Sequence, residues 1–294
     1  MRTLIAGTRG SALARTQTGS VIARLRIAAP GTRIDERLIR THGDTSISAP
    51  AGDGLFVKEL QEALRAGRID IAVHSFKDVP TEPVDGLRVA AVPVRTDPRE
   101  ALVGSTLAAL PAGARVGTSS PRRAAQLLAV RPDVIPTSIR GNVDTRVAKV
   151  RGGDYDAALL AAAGLIRLGI EPDEIIDARD MLPAPAQGAL AVEIRDDDHE
   201  VAALVAAIDD PATRRCAETE RAALRELGGG CMLPVGILAE AGDDRVMRVR
   251  GGAVSADGRR VVRIDESVDD DDPVVAGTKI AAALIAAGAL EVIA

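Results

Sequence analysis

An alternation of short β-branched apolar runs with longer segments of helical period constrains the fold of this chain more than any other feature. The run "TLIAGT" predicts a strand, and a helix is predicted from Ser11 to about Ala28. "RIDERLIR" predicts the next strand, "LFVKELQEALRAG" a helix, and "IDIAVHS" a buried strand. Parallel strands need crossover connections that are usually helical, so the alternation predicts an α/β fold.

The pattern restarts near residue 101 and changes style after Pro211. After "PAPAQG" the strand "ALAVEI" follows without a helix, which indicates a return to the first sheet. We therefore predict a first domain over 1–95 with a return segment over 188–207, and a second over 96–187. A smaller α+β domain is predicted over 208–294, containing a long helix, a hairpin turned at "SADG" and an alanine-rich helix.

Composition limits both the core and the ligands. The aromatic residues are only Phe56, Phe76 and Tyr155, so the core must be aliphatic and a ligand site must be polar. The net charge of −5 does not suggest a nucleic-acid partner. No apolar run approaches the roughly 20 residues of a membrane span, and the N-terminus has no secretion-signal pattern. We expect a cytoplasmic protein with no membrane partner.

Arginines stand at predicted strand ends and helix starts. In "VGTSSPRR" a strand ends at Gly117, Ser120 is a candidate N-cap and Pro121 suits the first helical position. Arg122 and Arg123 would then oppose the helix dipole unless an anion lies there, and the alternative is two solvated arginines. Thr118 and Ser119 supply further hydroxyls.

Other arginines follow the same logic. The strand ends and helix starts are expected to carry Arg9 with Ser11, Arg140, Arg146 and, after "AAAGLI", Arg167. Ligands of open α/β sheets bind at the carboxyl ends of strands, and arginine binds carboxylates and phosphates in a bidentate manner. The pattern predicts a ligand with several anionic groups.

The stretch "AVHSFKDVP" follows a buried strand and brings His74, Ser75, Lys77 and Asp78 to its end. A Lys-Asp pair is most often a surface ion pair. At a strand end near several arginines, Asp78 could instead stay ionised, stabilise a developing cation and transfer protons.

The two cysteines differ in setting. Cys216 lies in a predicted helix on an apolar face, which predicts a core residue, whereas Cys231 follows three glycines. Such a loop favours covalent chemistry, with a free loop thiol as the alternative. The three histidines have no metal-ligand spacing, so we predict no metal site.

Several motifs in one order resemble the hydroxymethylbilane synthase (porphobilinogen deaminase) family over essentially the whole chain. They are "GTRGSALARTQ", "GLFVKEL", "DIAVHSFKDVP", "VGTSSPRRAAQL", "SIRGNVDTR", "AAGLIRLG", "PAPAQGALAVE" and "ETERAALRELGGGC". The resemblance implies two α/β domains similar to type II periplasmic binding proteins, with the active site in their cleft, and a third domain that carries the cysteine. It implies a monomeric transferase that joins four porphobilinogen molecules with release of ammonia.

The resemblance also implies residue roles. Cys231 would hold a dipyrromethane cofactor through a thioether, and Asp78 would be the general acid/base. Cofactor contacts would come from Lys77, Ser75, Thr118, Ser120, Arg122 and Arg123. Substrate contacts would come from Arg9, Ser11, Gln17, Phe56, Arg140, Arg146, Arg167, Gln187 and Gly188.

One departure and one rival stand beside this interpretation. Many relatives have Gly-Lys-Gly where this chain has Gly52-Asp53-Gly54, which puts a lysine role in that loop in doubt. The rival is a non-catalytic, two-lobed anion-binding or ligand-sensing protein. It would explain the clustered arginines and the α/β halves, but not the third domain or Cys231.

Overall fold

In the computed structural model, the described residues are 2–39, 57–229, 233–242, 246–269 and 271–293. They divide between two compact units. Unit 1 comprises Met1–Arg95 and Ala189–Arg214, and unit 2 comprises Thr96–Gly188 and Arg215–Ala294. The division into three domains stays a prediction.

Unit 1 is built on a five-stranded mixed sheet of order β2-β1-β3-β10-β4. Its strands are β1 (Leu4–Thr8), β2 (Ile34–Leu38), β3 (Ile71–Ser75), β4 (Leu87–Ala91) and β10 (Leu190–Arg195). Its helices are α1 (Ala12–Ala28), α2 (Lys58–Arg65) and α6 (His199–Val205). β1, β2 and β3 are parallel, and β10 runs antiparallel to β3 with Leu190 opposite Ser75. The predicted strand after "PAPAQG" therefore lies in the first sheet.

Unit 2 contains a second five-stranded sheet, of order β7-β6-β8-β5-β9. Its strands are β5 (Glu100–Val103), β6 (Arg115–Gly117), β7 (Ile135–Thr137), β8 (Ala157–Ala161) and β9 (Glu174–Ile175). The helices between them are α3 (Pro121–Val130), α4 (Val143–Arg151) and α5 (Ala162–Arg167). β6, β7 and β8 are parallel, and β5 is antiparallel to β8.

The two sheets share one topology although their sequences show no useful repeat. Across each sheet, three neighbouring parallel strands lie beside one antiparallel strand, and a further strand pairs with that antiparallel strand and forms the edge. This confirms the predicted α/β class. It also places the carboxyl ends of the parallel strands of each sheet at one edge.

The C-terminal part of unit 2 is a smaller α+β arrangement, as predicted. An antiparallel sheet of order β11-β12-β13 packs against helices. Its elements are α7 (Pro211–Glu226), which is counted with unit 2 from Arg215 onward, β11 (Val235–Ala241), β12 (Met247–Val254), β13 (Val261–Val268), α8 (Pro273–Ala286) and α9 (Ala289–Ile293). Cys216 is buried in this core among aliphatic side chains, so the prediction of a core residue is confirmed.

The interior is aliphatic, as the composition requires. Among the described residues, the largest fully buried side chains are all leucine or isoleucine. No helix of the described part is long and apolar enough to cross a membrane.

Candidate active site

In unit 1, the predicted catalytic aspartate lies in a single 3₁₀ turn, Phe76–Asp78, directly after β3. Phe76 is buried and anchors the turn, while Lys77 and Asp78 are half-buried. Within the described part of the chain, no hydrogen bond or ion pair engages the Asp78 carboxylate. The side chain is thus positioned by its backbone, and no cation of the described residues engages it as an ion-pair partner.

Two predicted substrate and cofactor residues meet beside this turn. The Gln17 amide on α1 donates a hydrogen bond to Ser75 Oγ at 2.8 Å. Ser11 is the N-cap of α1 and accepts from the Ala14 amide at 3.3 Å. Arg9 precedes it in the loop after β1, the parallel neighbour of β3. The carboxyl ends of β1 and β3 therefore gather Arg9, Ser11, Gln17, Ser75, Lys77 and Asp78 at one edge of the sheet.

A buried polar group lies one residue before Ser75. His74 Nε2 is 3.1 Å from Glu193 Oε2 on β10, and the Gln61 amide donates to Glu193 Oε1 at 2.9 Å. All three side chains are buried. Because buried polar groups must be hydrogen-bonded to be tolerated, this group fixes α2 and β10 against the end of β3.

In unit 2, the start of α3 has the predicted cap. Ser120 is the N-cap, Pro121 is the first helical residue, and Ser120 Oγ accepts from the Arg123 amide at 3.4 Å. Thr118 is buried, and its Oγ1 accepts from the Ser120 amide at 3.2 Å. The hydroxyls of this loop therefore hold its own backbone in the arrangement that starts the helix.

Arg122 and Arg123 meet an anion that the sequence interpretation did not identify. Glu100 on β5 is fully buried, and its carboxylate lies 2.6 Å from Arg122 Nη2 and 2.8 Å from Arg123 Nη2. The Gln187 amide also donates to Glu100 Oε1 at 3.1 Å. The anion required at the start of α3 is therefore supplied, at least in part, by the chain itself.

Burial and the Glu100 carboxylate shift the pKa of Arg122 in opposite directions. Burial lowers the pKa of Arg122, Glu100 raises it, and the neighbouring Arg123 lowers it further. The net direction is downward, although arginine stays protonated in proteins. An isolated glutamate at the start of an apolar strand is the only sequence signal for Glu100, and it does not identify the arginines as partners. Whether Arg122 and Arg123 also bind a cofactor stays a prediction.

Arg146 on α4 differs from that pair. Its Nε donates to the Gly141 carbonyl at 2.7 Å, and no carboxylate of the described residues pairs with its guanidinium. Burial, with the like charge of Arg123, lowers the pKa of Arg146. A half-buried cation with a lowered pKa and no counter-ion among the described side chains favours an anionic ligand. Arg140 is exposed in the short segment between β7 and α4.

Arg167 is the last residue of α5, a short helix, so the expectation that it stands at a strand end is wrong. The strand β8 stops at Ala161 because the chain turns into α5 there. Arg167 Nη2 donates to the Gly188 carbonyl at 2.7 Å and to Thr96 Oγ1 at 3.2 Å.

Gln187 and Gly188 are structurally constrained. Gln187 is fully buried and donates to the Pro98 carbonyl at 2.8 Å. Gly188 has a φ of 89°, and a Cβ there would lie 2.3 Å from the Thr96 carbonyl oxygen. Only glycine fits this position.

Two predicted site residues, Phe56 and Cys231, lie outside the described residues, as does the loop with Asp53. The glycines before Cys231 are described as far as Gly229. Gly228 has a φ of 80° just after α7, and a Cβ on Gly229 would lie 2.0 Å from the Leu224 carbonyl oxygen. These two glycines are explained by the end of α7.

Among the described residues, no group of His, Cys, Asp and Glu side chains is arranged to hold a metal ion.

Comparison with protein families gives two matches along the chain. Residues 4–203 match the family described as "Porphobilinogen deaminase, dipyromethane cofactor binding domain". Residues 214–286 match "Porphobilinogen deaminase, C-terminal domain".

Curated relatives match over nearly their full length. The porphobilinogen deaminase of Thermus thermophilus is 46% identical, with 100% of this chain and 99% of the relative covered. That of a Roseiflexus species is 49% identical, with 98% and 97% covered. Among solved structures, the VFT2 domain of Bordetella pertussis BvgS matches 70% of this chain and 86% of its own at 15% identity, with a TM-score of 0.42.

Proposed function

The chain belongs to the porphobilinogen deaminase family, and on that premise we propose how its residues serve the reaction. It is a transferase of tetrapyrrole biosynthesis that joins four porphobilinogen molecules head to tail, releases ammonia at each step and gives linear hydroxymethylbilane. Its first matched domain is the type that binds the dipyrromethane cofactor. The non-catalytic alternative is set aside because the matches cover both the α/β units and the C-terminal domain.

The observation that carries the residue assignment is the charge balance near the start of α3. The three arginines Arg122, Arg123 and Arg146 lie in one electrostatic neighbourhood, since Arg123 lowers the pKa of both others. Glu100 is the carboxylate paired with the first two, and Arg146 has no paired carboxylate among the described residues. This excess of positive charge suits a ligand that carries several carboxylates.

Dipyrromethane fits these residues by charge because each of its pyrroles carries an acetate and a propionate. Its chemistry is to provide the covalent primer to which substrate pyrroles are added. We assign its carboxylates to Arg122 and Arg123, with Lys77 and the hydroxyls of Ser75, Thr118 and Ser120 as further contacts. Its thioether attachment is assigned to Cys231, because the other cysteine, Cys216, is buried in an aliphatic core.

Asp78 is assigned as the general acid/base. The aminomethyl group of porphobilinogen must leave as ammonia, and the carbon that forms the new bond must lose a proton. A carboxyl group can give a proton to the leaving amine, and the resulting carboxylate can accept the proton from the carbon that forms the new bond. The negative charge of the carboxylate stabilises the positive charge that develops on the substrate pyrrole. Support comes from its half-buried setting and from the lack of any described partner that would engage it.

Substrate carboxylates are assigned to the remaining arginines. Arg146 and Arg140 act from the start of α4, Arg167 from the end of α5, and Arg9 from the loop after β1. Ser11, Gln17, Phe56, Gln187 and Gly188 complete this set. Gln187 acts through its buried side-chain amide, which holds Glu100 and the Pro98 carbonyl, and Gly188 acts through its carbonyl, which accepts from Arg167. We further propose that the enzyme works as a cytoplasmic monomer.

The direct test is turnover of porphobilinogen by the purified chain. We expect one ammonia released for each porphobilinogen consumed, and one linear tetrapyrrole for every four. Binding of porphobilinogen without release of ammonia would contradict the enzyme assignment and support the anion-binding alternative.

A further inference from the structure

The turn that presents Arg140 is held by an unusual set of hydrogen bonds. We define the 138–141 turn as the residues between the end of β7 and Asn142, the N-cap of α4. Four successive carbonyl oxygens in it each accept from a different side chain. They are Ser138 from Tyr155 Oη at 2.8 Å, Ile139 from Ser119 Oγ at 2.7 Å, Arg140 from Lys149 Nζ at 3.1 Å and Gly141 from Arg146 Nε at 2.7 Å.

Ser119 makes the densest of these contacts. Besides donating to the Ile139 carbonyl, its Oγ accepts from the Ile139 amide at 3.1 Å and lies 3.1 Å from Ser138 Oγ. Ser119 belongs to the loop after β6, whereas the 138–141 turn follows β7, the parallel neighbour of β6. One hydroxyl group therefore joins the loop that leads into α3, the helix of Arg122 and Arg123, to the turn that contains Arg140.

Close packing at the same point supports this bridge independently. Ile139 is fully buried, and a Cβ on Gly117 would lie 2.9 Å from its Cδ1 atom. The missing side chain at Gly117 lets Ile139 approach β6, and the hydroxyl of Ser119 then fixes its backbone. Packing and hydrogen bonding thus determine one position for the turn.

We propose that Ser119 is a positioning residue for substrate binding through Arg140, an inference that rests on the proposed function. A turn that is already ordered loses little conformational freedom when Arg140, which belongs to it, binds a carboxylate. Loss of the Ser119 hydroxyl should therefore weaken substrate binding while the chemical step and the cofactor stay in place.

The test is steady-state kinetics of the holoenzyme with porphobilinogen. Removing a bridging pair of ordinary hydrogen bonds corresponds to about a tenfold change in an equilibrium constant. For Ser119→Ala we expect KM to rise about tenfold, with kcat within about twofold of the parent. Ser119→Thr keeps the hydroxyl and should restore KM, since this side chain is exposed and leaves room for a methyl group.

A second variant probes the same turn from another element. Tyr155→Phe removes only the bond to the Ser138 carbonyl and keeps the ring near Arg115, so KM should rise in the same direction. Ser105→Ala is the matched control, because among the described residues the Ser105 hydroxyl donates only to the carbonyl of its neighbour Thr106, at 3.3 Å, and its loss should leave KM unchanged.

A pair of double-mutant cycles separates positioning from general structural loss. If Ser119 acts through Arg140, Ser119→Ala should raise KM little further in an Arg140→Gln background. In an Arg167→Gln background its effect should multiply, because Arg167 is held by Gly188 and Thr96.

Equal multiplication in both backgrounds, or an unchanged KM in Ser119→Ala, would overturn the positioning role while an active parent leaves the enzyme assignment intact. A parent chain that consumes no porphobilinogen would contradict the proposed function, and this inference with it.

Discussion

At the scale of single residues, the charge of Asp78 is the feature on which the assignment of the chemistry depends. Asp78→Asn nearly keeps volume and shape but removes the charge and the transferable proton. We expect turnover to fall by about 10²–10⁴-fold, the usual size of general acid–base catalysis. Folding stability should change by no more than about 1 kcal/mol, because the carboxylate has no described partner.

The measurement is the steady-state rate beside thermal unfolding, on protein whose cofactor content has been checked by mass. Asp85→Asn is the matched control, since Asp85 is exposed in the segment before β4. A variant of Asp78 that keeps its cofactor and turns over within a few-fold of the parent would show that the proton transfer lies elsewhere.

Glu100 is the opposite case, a carboxylate with a structural partner on each side. Glu100→Gln keeps the size of the side chain but leaves Arg122 and Arg123 buried without their counter-ion. Breaking a buried ion pair in this way destabilises a protein by about 3–5 kcal/mol. Denaturant unfolding should show a loss of this size, against at most about 0.5 kcal/mol for the exposed Glu62→Gln. Equal stability of both variants would mean that Glu100 is not needed to neutralise the pair.

Asp78 and Glu100 also differ in whether their roles could be predicted from the sequence. Asp78 could be predicted because a buried strand ends just before it, so its place at the sheet edge follows from local pattern. Glu100 could not, because its partners are 22 and 23 positions away and meet it only when β5 and α3 pack in one unit. Long-range pairing of charges has no local pattern.

At the scale of elements, boundaries followed from caps and periodicity. Ser11 and Ser120 are N-caps at the helix starts that the sequence predicts. A serine before a helical pattern favours this position because its hydroxyl accepts from a free amide of the first turn. The six-residue helix α5 was not predicted. Its alanine-rich sequence continues the apolar character of β8, and such short apolar runs fit either strand or helix.

A packing contact between elements gives a prediction at this scale. Gly258, in the turn between β12 and β13, has a φ of 76°, and a Cβ there would lie 2.6 Å from the Ala129 amide nitrogen near the end of α3. Gly258→Ala should therefore destabilise unit 2 by about 2–4 kcal/mol through backbone strain and steric overlap.

Gly113→Ala is the control, because Gly113 has a φ of 78° but nothing within 4 Å of an added Cβ. It should lose only about 1–2 kcal/mol from strain. Denaturant unfolding compares the two, and equal losses would mean that the turn can move away from α3 at no cost.

At the scale of the whole molecule, the repeated topology explains why the fold class could be predicted without any visible repeat in the sequence. Each sheet needs only apolar strands, helical crossovers and one antiparallel strand, and many sequences meet those conditions. The assignment of strands to sheets was harder. It could be predicted for β10 only because no helix precedes that strand, whereas the pairing of β5 with both β8 and β9 has no counterpart in the local sequence.

The mass of the intact chain tests where the cofactor is attached. If dipyrromethane is attached through Cys231, the purified protein should exceed its sequence mass by two pyrrole units. Cys231→Ser removes the attachment point and should abolish both the increment and turnover. Cys216→Ala is the matched cysteine variant, and its loss should leave the increment in place while lowering stability, because this thiol fills part of an aliphatic core. Intact mass spectrometry with peptide mapping distinguishes the two sites. An adduct mapped to Cys216, or an increment that survives in Cys231→Ser, would move the attachment away from the glycine loop that ends α7.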